Sequence, residues 1–130
     1  MKKYNFTKIK MKILIAEDDL LLRKAYEKMF SHQTSLPENI FLAENGKKAV
    51  ELIEKENPQL VLLDLMMPEM SGFDVLEHLN KTEKIHTMTV FVLTNLSNDA
   101  DREKAMKLGA TDYIIKSNIT TSMIKNLLPT

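Results

Sequence analysis

Five short apolar runs recur along the chain at intervals of 20 to 30 residues: Ile13-Leu14-Ile15-Ala16, Ile40-Phe41-Leu42-Ala43, Leu60-Val61-Leu62-Leu63, Val90-Phe91-Val92-Leu93 and Tyr113-Ile114-Ile115. Each is too short for a core helix. None alternates with polar residues, as a strand with one wet face would. Such runs read as strands covered on both faces, the mark of a parallel sheet. The segments between them carry helical spacing. Leu21, Leu22, Ala25, Met29 and Phe30 predict a helix over 20–30. Ala49, Val50, Leu52 and Ile53 mark one ending near Glu56, and Phe73, Leu76 and Leu79 mark a short third. Residues 99–108 read as a polar helix that buries little beyond Ala105 and Leu108, and 119–128 as a last helix. Pro37, an Asn45-Gly46 turn, Asn57-Pro58, Pro68, Gly72 and Gly109 supply the breaks. Strands alternating with helices call for a three-layer α/β/α domain with right-handed crossovers.

At 130 residues and 44% hydrophobic content, one core is expected, without internal repeats. Cysteine is absent, which excludes disulfides and thiolate metal sites and suits a reducing, cytoplasmic setting. The formal net charge of +0 hides an asymmetry. Residues 1–12 hold five lysines and no acid; the rest carries 13 basic and 18 acidic residues, a net of −5. Residues 1–11 therefore read as a flexible basic arm and 12–130 as the domain, with Met11 as an alternative natural start that would leave the arm without a role. A net acidic domain is a poor partner for nucleic acid, which needs a basic face. No run approaches the roughly 20 apolar residues of a membrane span, and the basic N-terminus lacks the apolar stretch of a signal peptide.

In an open parallel sheet, ligands gather beyond the carboxyl ends of the strands. The residues just after the apolar runs are Glu17, Asp18 and Asp19, then Asp64, Thr94 and Lys116. Clustered carboxylates are costly unless a cation neutralises them, and oxygen ligands without histidine or cysteine suit Mg²⁺. Thr94 and Lys116 add a hydrogen-bond donor and a positive charge for phosphoryl oxygens. Asp64 is then a candidate nucleophile, because aspartate forms acyl phosphates. Asp19 reads as the cap of the helix at Leu20, and Arg23 as a surface residue. The nine methionines read as core filler, except Met66 and Met67 in the loop after Asp64. His32, His78 and His86 lie on polar stretches and suit neither a site nor a phosphohistidine relay helix.

Four pieces then stand together: Ile13 to Asp19 with Arg23; Leu60-Val61-Leu62-Leu63-Asp64-Leu65-Met66-Met67-Pro68-Glu69-Met70-Ser71-Gly72; Val92-Leu93-Thr94; and Gly109-Ala110-Thr111-Asp112-Tyr113-Ile114-Ile115-Lys116. In this order, each at a strand end, they resemble the receiver domain of bacterial two-component response regulators, from about Lys12 to Leu128. The resemblance implies a flavodoxin-like fold with a five-stranded parallel sheet of order 2-1-3-4-5. It implies Asp64 as phosphoacceptor and Mg²⁺ (or Mn²⁺) as cofactor. Asp18 would be a direct ligand, Glu17 would act mainly through water, and the Met66 backbone carbonyl would complete the protein ligands with Asp64. Thr94 and Lys116 would contact the phosphoryl oxygens, and Tyr113 would change rotamer with Thr94. The implied partners are a sensor histidine kinase or phosphotransfer protein and a downstream protein target, with homodimerisation on phosphorylation a further option. The implied output is a protein-interaction surface around residues 99–108 and the fifth strand. With about two residues after the last helix, no output domain is expected in this chain.

Two positions depart from the family pattern. Ser117 stands where the family has proline after its lysine, with a cis peptide between them. A cis bond before serine costs about 2.5–4 kcal/mol, so either the fold supplies that or the peptide is trans and Lys116 arrives by another path. Asn95 stands where the family favours a small residue, and it either narrows the entrance or adds a hydrogen bond. Met66 and Leu96, the positions that flank the path of hydrolytic water, are both apolar, which implies slow loss of the phosphoryl group. Two rival readings are an adaptor that never accepts phosphate and a phosphatase of the haloacid-dehalogenase type. The latter wants a second aspartate where Met66 stands.

Overall fold

The apolar runs become strands because a sheet between two helical layers buries most of their side chains, and all of them in β1 and β3. In the computed structural model, which describes residues 11–32, 37–95 and 98–127, they are β1 (Ile13–Ala16), β2 (Ile40–Ala43), β3 (Leu60–Leu63), β4 (Thr89–Thr94) and β5 (Asp112–Ile115). The expected basic arm, apart from Met11, lies outside the described residues, as does Leu96. The strands form one parallel sheet of order β2-β1-β3-β4-β5. The order agrees with the expected flavodoxin-like arrangement. The edge strand β2 is less covered than its sequence suggests: Ile40, Phe41 and Leu42 are half-buried and only Ala43 is buried.

Five helices connect the strands: α1 (Leu20–Ser31), α2 (Gly46–Glu56), α3 (Gly72–Lys81), α4 (Asp99–Lys107) and α5 (Thr121–Leu127). One face of the sheet presents Leu14, Ala16, Val61, Leu63, Val90, Val92 and Tyr113. It packs against Ala49 and Ile53 of α2, Val75, Leu76 and Leu79 of α3, and Ala105 of α4. The other face presents Ile13, Ile15, Leu60, Leu62, Phe91, Leu93 and Ile114 to Tyr26 and Phe30 of α1, with Ile119 and Met123 beside them. Each fully buried side chain of this size contributes roughly 1.5–3 kcal/mol.

Two helix starts differ from the sequence reading. Gly46 is the first residue of α2 rather than a turn residue, because the Asn45 side chain caps the helix by accepting from the Lys48 amide at 2.7 Å. A Cβ at Gly46 would strike the Met70 backbone, so this glycine answers to close approach. After β5 the chain makes a 3-10 turn over Lys116–Asn118, and α5 starts later than residue 119. Gly109 does stop the fourth helix, at φ +107. Among the described residues no helix is long and apolar enough to cross a membrane.

Candidate functional site

The register of the sheet builds the site. β1 and β3 pair Ala16 with Leu63, so Glu17 and Asp64 leave the sheet side by side. The Asp64 amide still donates to the Ala16 carbonyl at 2.9 Å, and the Glu17 amide to the Ala43 carbonyl at 3.0 Å. β4 and β5 pair Thr94 with Ile115, which puts Lys116 one step past the end of β5 on the same rim. The buried polar and charged side chains among the described residues are Glu17, Asp64 and Thr94, exposed by 1%, 2% and 0%. All three belong to this rim, while the remaining core is apolar. Burying charge at one place only is expensive and calls for compensation.

Part of the compensation is Lys116. Its Nζ lies 2.7 Å from Glu17 Oε1 and 3.0 Å from Asp64 Oδ2. The contact with Asp64 is a hydrogen bond. The contact with Glu17 Oε1 is an ion pair without hydrogen-bond alignment. Glu17 Oε2 accepts from the Asp19 amide at 3.0 Å, and Asp64 Oδ1 from the Met66 amide at 3.2 Å. Burial pushes the Glu17 and Asp64 carboxyls up, and Lys116 only partly opposes the shift. Burial works to lower the Lys116 ammonium, but its two carboxylate partners prevail and hold it above the ordinary lysine value.

Glu17, Asp18 and Asp64 each offer a carboxylate oxygen, all within 4.8 Å of one another. Asp18 is exposed, so the cluster opens to solvent on one side. An all-oxygen acidic set with an open side fits a hard divalent cation that keeps water ligands. The Met66 backbone sits against Asp64, while its side chain is 60% exposed. Asn95, at the end of β4, is also exposed. Tyr113 is buried on the α2–α4 face of the sheet, with the Arg102 guanidinium 5.9 Å from its ring centre.

The Lys116–Ser117 peptide is trans. Of the two alternatives posed by Ser117, the second holds, and the lysine still reaches both buried carboxylates. Asp19 caps α1 as expected, accepting from the Leu22 amide at 3.0 Å. Arg23 is a correction. It is half-buried rather than a surface residue, and its Nη1 donates to the carbonyls of Glu17 at 2.8 Å and Asp18 at 3.3 Å. Its place four residues after the cap was the available signal, since helical side chains lean back toward the N-terminus. Tyr26 was also missed. It lines a narrow crevice beneath the carboxylates with Ile15, Leu62 and Leu93. Only its place on the apolar face of α1 hinted at that.

A family model described as the response regulator receiver domain matches residues 13–128. The chain is 36% identical over 107 residues to the "Probable transcriptional regulator ycf27" of Porphyridium aerugineum, covering 82% of this chain and 42% of that protein. It is 32% identical over 110 residues to an "Uncharacterized 14.6 kDa protein in sodA1 3'region" of Leptolyngbya boryana, covering 85% of this chain and 82% of that one. The BeF3-activated N-terminal receiver domain of Klebsiella pneumoniae RstA superposes with a TM-score of 0.76 at 27% identity, over 89% of this chain and 94% of that one. For the receiver domain of Francisella response regulator 1452 the TM-score is 0.77 at 25% identity, over 90% and 92%. With this fold and this acidic rim, the chain belongs to the response regulator receiver domain family of two-component signalling. It spans less than half the length of the first curated relatives it matches.

Proposed function

We propose that this chain accepts a phosphoryl group on Asp64 from a phosphohistidine of a sensor histidine kinase or phosphotransfer protein, with Mg²⁺ (or Mn²⁺) as cofactor. The observation that carries the reading is the pair of buried carboxylates bridged by Lys116 at 2.7 and 3.0 Å. A carboxylate kept in a low-dielectric rim beside a fixed ammonium suits attack on phosphorus. An Asp64 oxygen forms the new bond to phosphorus. The phosphorus–nitrogen bond breaks, and its electron pair leaves with the imidazole. Lys116, freed from the ionised Asp64 oxygen, pairs with a phosphoryl oxygen, and the Thr94 hydroxyl donates to another. Asp18, Asp64 and the Met66 carbonyl would hold the cation, with Glu17 acting mainly through water. The cation, when bound, supplies charge neutralisation for the phosphoryl oxygens.

Transfer replaces one carboxylate charge with a phosphoryl group carrying more, and Thr94 is drawn toward it. Tyr113, on the adjoining strand, follows and biases the α4–β5 surface that a downstream protein would read. A phosphorylation-linked homodimer and a cytoplasmic setting belong to the same proposal. Met66 has no group that can orient a hydrolytic water, nor does Leu96, so the aspartyl phosphate decays over hours rather than seconds.

Intact mass measurement after incubation with acetyl phosphate and Mg²⁺ tests the reading. A gain of one phosphoryl mass, lost in Asp64→Asn and with EDTA, is expected. Absence of any gain in the unaltered protein would leave the adaptor reading in its place, and steady turnover of a phosphomonoester the phosphatase one. A decay half-life of seconds would remove the slow-hydrolysis proposal alone.

A further inference from the structure

The carboxylates of the acidic pair need a fixed backbone to be useful, and residues 17–19 lie between β1 and α1, where neither sheet nor helix holds every carbonyl. The Glu17 amide is tied to β2, and the Asp19 amide to the Glu17 carboxylate. The Glu17 and Asp18 carbonyls both receive the same atom of one side chain, Arg23 Nη1, at 2.8 and 3.3 Å. Arg23 is itself held, because its amide donates to the Asp19 carbonyl at 2.8 Å in the first turn of α1. The Asp18 carboxylate has no hydrogen bond or ion pair of its own among the described residues. The peptide planes on either side of it therefore fix where its Cα–Cβ bond points.

We propose that Arg23 is a positioning residue: its guanidinium clamps the carbonyls of Glu17 and Asp18 and so aims the Asp18 carboxylate at the place a divalent cation would take. This rests on the metal reading of the acidic cluster. It also makes an unusual demand of a cation. By Coulomb's law alone, a guanidinium beside a dication site weakens binding, and its removal should tighten it. A clamp makes the opposite demand: without it the Glu17–Asp18 backbone relaxes, the carboxylates lose their common geometry and affinity falls. Outer supports of metal ligands are typically worth about 10- to 100-fold in affinity. Because this one is partly exposed, the low end of about tenfold is expected.

The test is titration calorimetry of the full chain with MgCl₂ at fixed ionic strength, for the unaltered protein, Arg23→Met, Arg23→Lys and Asp18→Asn, with melting in EDTA as the folding control. The proposal expects Mg²⁺ binding about tenfold weaker in Arg23→Met. Arg23→Lys, which keeps a cationic donor of shorter reach, should recover part of that loss. Equal or tighter binding in Arg23→Met overturns the clamp. So does Arg23→Lys binding no better than Arg23→Met. If Arg23→Met does not fold, Arg23→Gln takes its place, with weaker binding supporting the clamp and unchanged binding overturning it. The underlying metal reading fails separately: it falls if the unaltered protein shows no saturable Mg²⁺ binding, or if Asp18→Asn leaves that binding unchanged.

Discussion

Helices α3 and α4 cover the same face of the sheet, one after the other, and are held there by different forces. α3 buries Gly72, Val75, Leu76 and Leu79, and begins with a reciprocal cap in which Ser71 and Asp74 each bond the other's backbone. α4 buries only Ala105. Leu108, at its C-cap, is partly buried against the same core, and its further ties to its neighbours are polar. The Lys104 ammonium lies 4.4 Å from the centre of the Phe73 ring, Arg102 faces Tyr113, and the Asn80 amide donates to the Leu108 carbonyl at 3.2 Å. Apolar burial is non-directional and large, whereas such tethers are worth about 0.5–1 kcal/mol each at exposed sites. The two helices therefore differ in how easily they come away. The looser one adjoins the strands that carry Thr94 and Tyr113. An element that must answer a change of charge at the rim is better drawn from the low-stability end of the fold.

The comparison can be broken most sharply at Leu76. Leu76→Ala empties a fully buried site and should cost about 2–5 kcal/mol in denaturant unfolding. A cost under 1 kcal/mol would mean that α3 is no better anchored than α4. The rim itself comes next. Glu17 and Asp64 hold protons to higher pH in the folded state than when unfolded, so the native form binds more protons over that window. Stability without Mg²⁺ should then fall as pH rises above the ordinary values of 3.8 and 4.5, through the raised native ones. Asp64→Asn removes one of the two acids, so it should flatten that slope and stabilise the metal-free protein by about 1–2 kcal/mol at pH 7. Urea unfolding across pH checks both statements, and a destabilised Asp64→Asn would contradict them.

Smaller effects sharpen the contrast. Lys104→Ala removes the contact with Phe73 and should cost about 0.5–1 kcal/mol. The loss should read out as faster local hydrogen exchange in α4, with α3 amides little changed. Uniform acceleration across both helices would show that they open as one unit. Arg102→Ala is expected to have the least effect on stability, a few tenths of a kcal/mol, given the 5.9 Å separation from Tyr113. Its effect should instead appear as greater solvent access of the tyrosine, readable by quenching of Tyr113 fluorescence in a variant where Tyr4 and Tyr26, the other two tyrosines, are phenylalanine.

β1 and β3 were the most legible strands, because burial on both faces leaves no polar residue inside their four-residue runs. Ile13–Ala16 and Leu60–Leu63 begin and end where the apolar residues do. Helix starts were less so. Asn45-Gly46 is a turn dipeptide by type, and it became a cap and first helical residue once α2 packed against the loop at Met70. The start of α5 moved because Lys116–Asn118 turns before the helix begins. At the site, Asp64, Glu17 and Thr94 could be picked out by position alone, since each follows an apolar run. Arg23 left only the weaker signal of its place one turn past the cap, because an arginine on an amphipathic helix otherwise has the same local signature whether it meets water or a pair of carbonyls.

Residue order was thus enough to specify a parallel three-layer sheet and the rim where its acids, hydroxyl and lysine would emerge, because strand ends follow from the limits of apolar runs. It could not specify how Lys116 bridges two buried carboxylates across a trans peptide, or that one guanidinium holds the backbone of the acidic pair. Those contacts depend on the register between β1 and β3 and on how α1 seats against the sheet. Both are settled by side chains far apart in the chain filling one shared volume.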